Sequence, residues 1–218
     1  MIDFSAARTN MVDSQLRTNK ITDSKIIAGF ETIPRETFLP ETLRSVAYVD
    51  EDLAIGNGRY VMEPMVLARL IQAAAPEADD IALEIGAARG YGTAILAQIA
   101  ATVVGLDSEQ SLTDVMNETL NALGIDNAVA VTGNMAEGYA RQAPYNVILF
   151  SGSIGEVPEA IIAQLSDGGR LVAVIRDKSG LGRATLLQRT GETISRRHLF
   201  DASTPILSGF ECDDRFVF

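Results

Sequence analysis

The sequence predicts an α/β protein with a doubly wound, mainly parallel, Rossmann-like sheet. Three observations predict it. First, short β-branched runs alternate with helix-patterned stretches between residues 81 and 175, as a parallel sheet buried on both faces requires. Second, residues 81–107 read IALEIGAARGYGTAILAQIAATVVGLD, a strand, a glycine turn, a helix and a second strand ending in a carboxylate. Third, Ala184 to Arg189 and Thr193 to Phe200 read as antiparallel strands closing one sheet edge, with Phe216-Val217-Phe218 behind them. At 218 residues and 47% hydrophobic content, the chain can bury a full core as a single domain. Residues 1–75 form its N-terminal helical and loop region, and residues 76–218 its sheet-bearing core.

In chain order, Phe4 to Asn19 carries Phe4, Ala7, Met11, Val12 and Leu16 at helical spacing. Thr22 or Asp23 caps a second helix, Ser24 to Glu31, closed by Pro34. Residues 35–40 read as extended, and Asp50 to Tyr60, with Gly56, Asn57 and Gly58, as a loop or turn. Pro64 opens a helix through Ala75. Strands are expected at 81–85, 102–106, 128–132, 146–150 and 170–175, the fourth landing in Ser151-Gly152-Ser153. Helices are expected at 91–100, at 111–123 (ended by Gly124) and at 158–165. Gly168-Gly169 reads as a turn.

The glycine turn of residues 86–90 narrows the ligand class. Glycines let a backbone approach a ligand, the following helix offers free N–H groups, and an acid at the next strand tip can accept both ribose hydroxyls. Asp107 follows Gly86 by 107 − 86 = 21 positions, near the roughly 20 expected of that acid. A dinucleotide fingerprint, G-x-G-x-x-G, finds Ala88 and Tyr91 from Gly86, and Ile95 from Gly90. Neither frame fits, which disfavours a nicotinamide-dependent oxidoreductase.

The net charge of −11 and pI near 4.5 argue against nucleic acid or an anionic membrane as partner. The single cysteine, Cys212, reads as buried or inert and fits a reducing compartment. The start, MIDFSAARTN, lacks a signal peptide's apolar centre, and no uncharged run reaches the roughly 18 residues of a membrane span. A cytoplasmic protein is expected. His198 sits among Arg196 and Arg197 as a surface residue, and no metal-ligand cluster is expected.

The pattern Glu84-x-Gly86-x-x-x-Gly90 resembles the first motif of class I methyltransferases that bind S-adenosylmethionine. The wider chain resembles the protein-L-isoaspartate (D-aspartate) O-methyltransferase family. The resemblance runs through Met11 to Leu16, Ile33 to Pro40, Ala47-Tyr48, Leu53 to Gly56, Glu84 to Tyr91, Ala143 to Asn146, Val157 to Leu165 and Gly168 to Val172. It implies a class I methyltransferase fold with N-terminal helices. It also implies methyl transfer from S-adenosylmethionine to the α-carboxylate of isoaspartyl residues in damaged proteins or peptides, with oligomeric state left open. Implied cofactor-binding positions are Glu84, Gly86, Ala88, Gly90, Tyr91, Asp107, Asn134 and Met135. Ala88 stands where the family commonly has Gly, and Gly133-Asn134-Met135 where it has Gly-Asp-Gly. No general base is needed, since a carboxylate is already ionised at neutral pH.

The largest departures fall in the implied acceptor loop, Gly58-Arg59-Tyr60-Val61-Met62-Glu63-Pro64. Tyr60 replaces the family's Thr, Met62 its active-site Ser, and Glu63 its Gln. Methionine donates no hydrogen bond, and an inward Glu63 would repel a carboxylate. Arg59 offers a replacement anchor; its alternative is an exposed loop arginine. Two functions follow: a carboxyl methyltransferase with weakened or changed acceptor specificity, or a catalytically degenerate relative acting as a cofactor-binding or interaction protein.

Overall fold

A computed structural model describes residues 2–211. Phe216 to Phe218 and Cys212 lie outside the described residues. The chain opens with helix α1 (Phe4–Met11), capped by the Asp3 carboxylate accepting from the Ala6 N–H. It continues without a break through a π turn and a 3₁₀ turn to Asn19. Helix α2 (Ser24–Thr32) is capped by Asp23, which accepts from Lys25 and Ile26. The expected extended stretch after Pro34 is instead a 3₁₀ turn, Arg35–Phe38. Burying Phe38 beside Arg35 folds these residues into a turn that alternation alone does not reveal.

The expected loop at 50–60 contains a hairpin, β1 (Leu53–Gly56) and β2 (Arg59–Val61). Asn57 and Gly58 both take positive φ at its tip, 51° and 68°, as a tight Asn-Gly hairpin turn demands. That dipeptide was the available signal. Helix α3 (Pro64–Ala74) follows, with proline in its first turn.

The sheet strands are β3 (Ile81–Ile85), β4 (Thr102–Asp107), β5 (Ala128–Thr132), β6 (Tyr145–Ile154), β7 (Leu165–Arg176), β8 (Gly182–Thr190) and β9 (Thr193–Asp201). Their order is β5-β4-β3-β6-β7-β8-β9. The first five are parallel, and β8 and β9 join antiparallel. The chain therefore has the class I methyltransferase architecture, with the antiparallel pair at the predicted edge. Between strands lie α4 (Tyr91–Ala97), α5 (Gln110–Ala122) and α6 (Glu159–Ile162).

Three elements differ in length from expectation. Helix α4 stops early because Ala101 and Thr102 turn back to donate to the Asp80 carbonyl, at 3.0 and 3.4 Å. Helix α6 is one turn, since Gln164 donates from its amide to the carbonyls of Ala160 and Glu137 and leads directly into β7. Strand β6 runs on through Ser151-Gly152-Ser153 because residues 204–207 pair with its tip. Ser153 N donates to Pro205 O at 2.9 Å, and Leu207 N to Ser153 O at 2.8 Å.

Alternation along the strands splits the core between two faces. Ala82, Val103, Val147, Leu149, Val172 and Val174 pack with α1–α4. Leu83, Ile85, Val104, Leu106, Ile148, Phe150, Leu171 and Ala173 pack on the other face with Ile161 and Phe210. No helix among the described residues is long and apolar enough to cross a membrane.

Candidate active site

Strands β3 and β4 deliver the glycine turn and Asp107 to one place at the carboxyl edge of the sheet, where parallel sheets bind ligands. The turn leaves β3 through Gly86 (φ 78°), Ala88 (φ 51°) and Gly90 (φ 91°). Gly86 and Ala87 N–H both donate to Leu106 O, at 2.9 and 3.1 Å, locking the turn to β4. At Gly90 an added methyl would lie 2.4 Å from Met116 Cγ, so that position requires glycine for space as well as for φ. Ala88 adopts the left-handed region with a side chain in place, a strain of about 1 kcal/mol.

Asp107 is fully buried, which excludes a solvent-facing strand end. Its Oδ2 accepts from Ala88 N at 2.7 Å and from Arg59 Nη2 at 2.5 Å; Oδ1 accepts from Glu109 N at 3.2 Å. Arg59 is 2% exposed, so it is not an exposed loop arginine. The hairpin projects it from β2 into the cleft, where it meets the acid expected to face a ribose. Removing one member of such a buried pair costs about 3–5 kcal/mol, because the other charge remains desolvated.

Glu84 lies beneath the turn on β3, 1% exposed. It accepts from Thr93 Oγ1 at 2.5 Å and from the Ser151 hydroxyl. Burial pushes its carboxyl up to about 7, against the pull of the two hydroxyl donors. Gly92 makes room for it, since a methyl there would sit 2.1 Å from Glu84 Oε1. Thr93, Ser151 and Gly92 were not among the expected site residues.

Tyr91 lines the small cavity under the glycine turn and packs its ring against the N-terminal segment. It packs edge-on against Phe30 at 5.9 Å and tilted on Phe38 at 5.6 Å, with the Arg35 guanidinium 4.9 Å from its centroid. Asn134 caps the turn after β5, accepting from Ala136 N at 3.0 Å and donating to Glu137 Oε1 at 2.7 Å. Met135 is buried in the core cluster that contains Leu106 and Tyr145. In the stretch that the resemblance implies as the acceptor loop, Met62 is buried, and Glu63 precedes α3 half-buried. Glu63 N donates to Asp52 Oδ1 at 2.9 Å. Burial, then the charges of Asp52 and Asp50, push the Glu63 carboxyl up to about 7.

The donor set suits an adenosyl ligand: a small-residue turn with a carboxylate behind it. The space does not, with Arg59 where it lies. Leu207 covers Gly86 and Gly152, where added methyls would approach its side chain to 2.7 and 2.6 Å. Two cavities remain, about 10 Å³ each, room for roughly one water apiece. One is lined by Glu84, Gly86, Ala88, Met62 and Ser151, the other by Arg59, Tyr60, Met62, Ser151 and Thr204. A larger hollow of about 440 Å³ lies elsewhere, between Glu156, Arg176 and Phe210. It adjoins Glu211, the last described residue, and contains none of these groups.

Residues 7–201 match the family described as protein-L-isoaspartate(D-aspartate) O-methyltransferase (PCMT). The chain is 35% identical over 189 residues to the protein-L-isoaspartate O-methyltransferase of Methanoculleus marisnigri, covering 86% of each chain. It is 36% identical over 187 residues to protein-L-isoaspartate O-methyltransferase 1 of Rhodopseudomonas palustris, covering 86% of this chain and 76% of that one. Among solved structures, a protein-L-isoaspartate O-methyltransferase superposes with TM-score 0.83 at 24% identity, over 93% of this chain and 66% of that one. A Plasmodium falciparum structure assigned to the same activity, and solved with S-adenosyl-L-homocysteine, gives 0.76 at 19%, over 95% of this chain and 99% of that one. The sequence match, the sheet order and the glycine turn with its buried acid agree: the chain belongs to the protein-L-isoaspartate (D-aspartate) O-methyltransferase family.

Proposed function

We propose that the protein is an S-adenosylmethionine-dependent carboxyl O-methyltransferase whose acceptors are isoaspartyl residues of proteins or peptides. The observation that carries this reading is Asp107, buried at the tip of β4 with Oδ2 bonded to the N–H of Ala88 in the glycine turn. S-adenosylmethionine, when bound, supplies an electrophilic methyl group.

The chain's own residues hold and orient. Asp107 accepts ribose hydroxyls, and Gly86 and Gly90 keep the turn low enough for backbone approach. Glu84 is not a base: it is sealed under the turn, with Thr93 and Ser151 as its donors. None is required, because the acceptor carboxylate attacks as it stands, so the rate rests on alignment and exclusion of water. Met62, Tyr60 and Glu63 reshape the acceptor side, and the proposal includes a preference that differs from relatives with Thr, Ser and Gln there. The reading places the protein in the cytoplasm.

Incubation with an isoaspartyl peptide and methyl-labelled S-adenosylmethionine tests it. A base-labile methyl ester on the peptide is expected, with transfer raised by Met62→Ser. Absence of label in both proteins, alongside measurable S-adenosylhomocysteine binding, would overturn the enzymatic reading.

A further inference from the structure

Asp107 has too few free sites for a ribose while Arg59 is present. A carboxylate offers about four lone-pair positions. Oδ2 already takes Arg59 Nη2 and Ala88 N, and Oδ1 takes Glu109 N. One position is left, and two ribose hydroxyls need two.

Arg59 is itself incompletely satisfied. Its Nε and Nη1 are buried and have no hydrogen-bond partner among the described residues. The guanidinium lines the same small cavity as Tyr60, Met62, Ser151 and Thr204, on the acceptor-loop side of the cleft. Met62, at the position of the family's serine, gives that cavity no hydrogen-bond donor. A buried guanidinium needs an anion, and the acceptor of the proposed reaction is one.

We propose that Arg59 is the anchor for the acceptor's carboxylate, held on Asp107 until the cofactor arrives. The cofactor's ribose takes over Asp107, and the released guanidinium turns to the incoming carboxylate, so each buried charge exchanges one partner for another. The inference rests on the proposed function. It makes the two ligands cooperative: each removes the partner that the other's binding group must leave.

Titration calorimetry with S-adenosylhomocysteine, with and without an isoaspartyl peptide, tests the exchange. In the native protein the peptide tightens S-adenosylhomocysteine binding at least fivefold. Arg59→Gln alone binds it tenfold or more tighter, gains nothing from the peptide, and raises peptide KM at least tenfold. Phenylglyoxal labelling of the native protein, read by mass spectrometry at Arg59, needs no variant. Modification rises when S-adenosylhomocysteine is added and falls again with peptide. Equal or weaker cofactor binding by a folded Arg59→Gln, an unchanged peptide KM, or labelling indifferent to ligands overturns the inference. If the native protein also methylates the peptide, only this inference falls. A native protein that binds no S-adenosylhomocysteine removes the proposed function along with it.

Discussion

Two arginine–aspartate pairs, one partly buried and one fully buried, stand at opposite ends of the same sheet. At the amino end of β7, Arg170 Nη2 donates to Asp80 Oδ2 at 2.6 Å, and its nitrogens also reach Ala74 O and Ala75 O, at 2.9 and 2.8 Å. Asp80 Oδ2 further accepts from Glu77 N at 2.8 Å. That pair ties the end of α3 to the sheet through Ala74 O, Ala75 O and Glu77 N. At the carboxyl end, Arg59 and Asp107 are buried more deeply, yet Arg59 leaves two nitrogens unused beside a water-sized hollow. The difference separates a staple from a latch. A charge satisfied by fixed backbone groups holds structure, whereas one satisfied by a single exchangeable partner is available for ligand.

The largest expected effect breaks the staple. Arg170→Met leaves Asp80 buried without its cation and should cost about 3 kcal/mol in urea unfolding, with S-adenosylhomocysteine affinity intact. A loss of affinity of similar size would erase the distinction between the two ends.

Next comes the pH dependence of the ligand end. The Glu84 carboxyl is raised from 4.5 to about 7 in the folded protein, so between those values the folded state holds a proton that the unfolded chain has released. Stability therefore falls as pH rises through that window, by roughly 3 kcal/mol, and levels off above it. Glu84→Gln should flatten this part of the curve; an unaltered curve would mean that Glu84 titrates as in the unfolded chain.

Double replacements sharpen the contrast. Arg59→Met with Asp107→Leu removes the latch but leaves the N–H groups of Ala88 and Glu109 without their acceptor, so it should cost about 1 kcal/mol. Arg170→Met with Asp80→Leu should lose about 2 kcal/mol, because Ala74 O, Ala75 O and Glu77 N lose partners. Equal effects at both ends would contradict the comparison. The smallest effect is local: Ala88→Gly relieves the strained left-handed residue and should add about 0.5–1 kcal/mol, read as a higher Tm.

Much of this was legible in the chain. Short apolar, β-branched runs predicted β3 to β7, and the offset between Gly86 and Asp107 predicted that the turn and the acid would meet. The Asn57-Gly58 dipeptide is itself a hairpin signal, since both positions take a positive φ that few other dipeptides tolerate. What sequence patterning could not supply was contact between distant segments. Thr93 and Ser151 converge on Glu84 from a helix and from another strand. Leu207 reaches Gly86 only because residues 204–207 pair with the tip of β6.

The sequence by itself determined the doubly wound sheet and a glycine turn with an acid behind it, because each depends on local periodicity or on spacing within one βαβ unit; motifs spread along the whole chain carried the family resemblance. Only the tertiary structure decided what that acid touches. Arg59 lies 48 positions from Asp107. Its reach is set by where the β1–β2 hairpin docks over the sheet, a matter of packing between elements that no local pattern encodes.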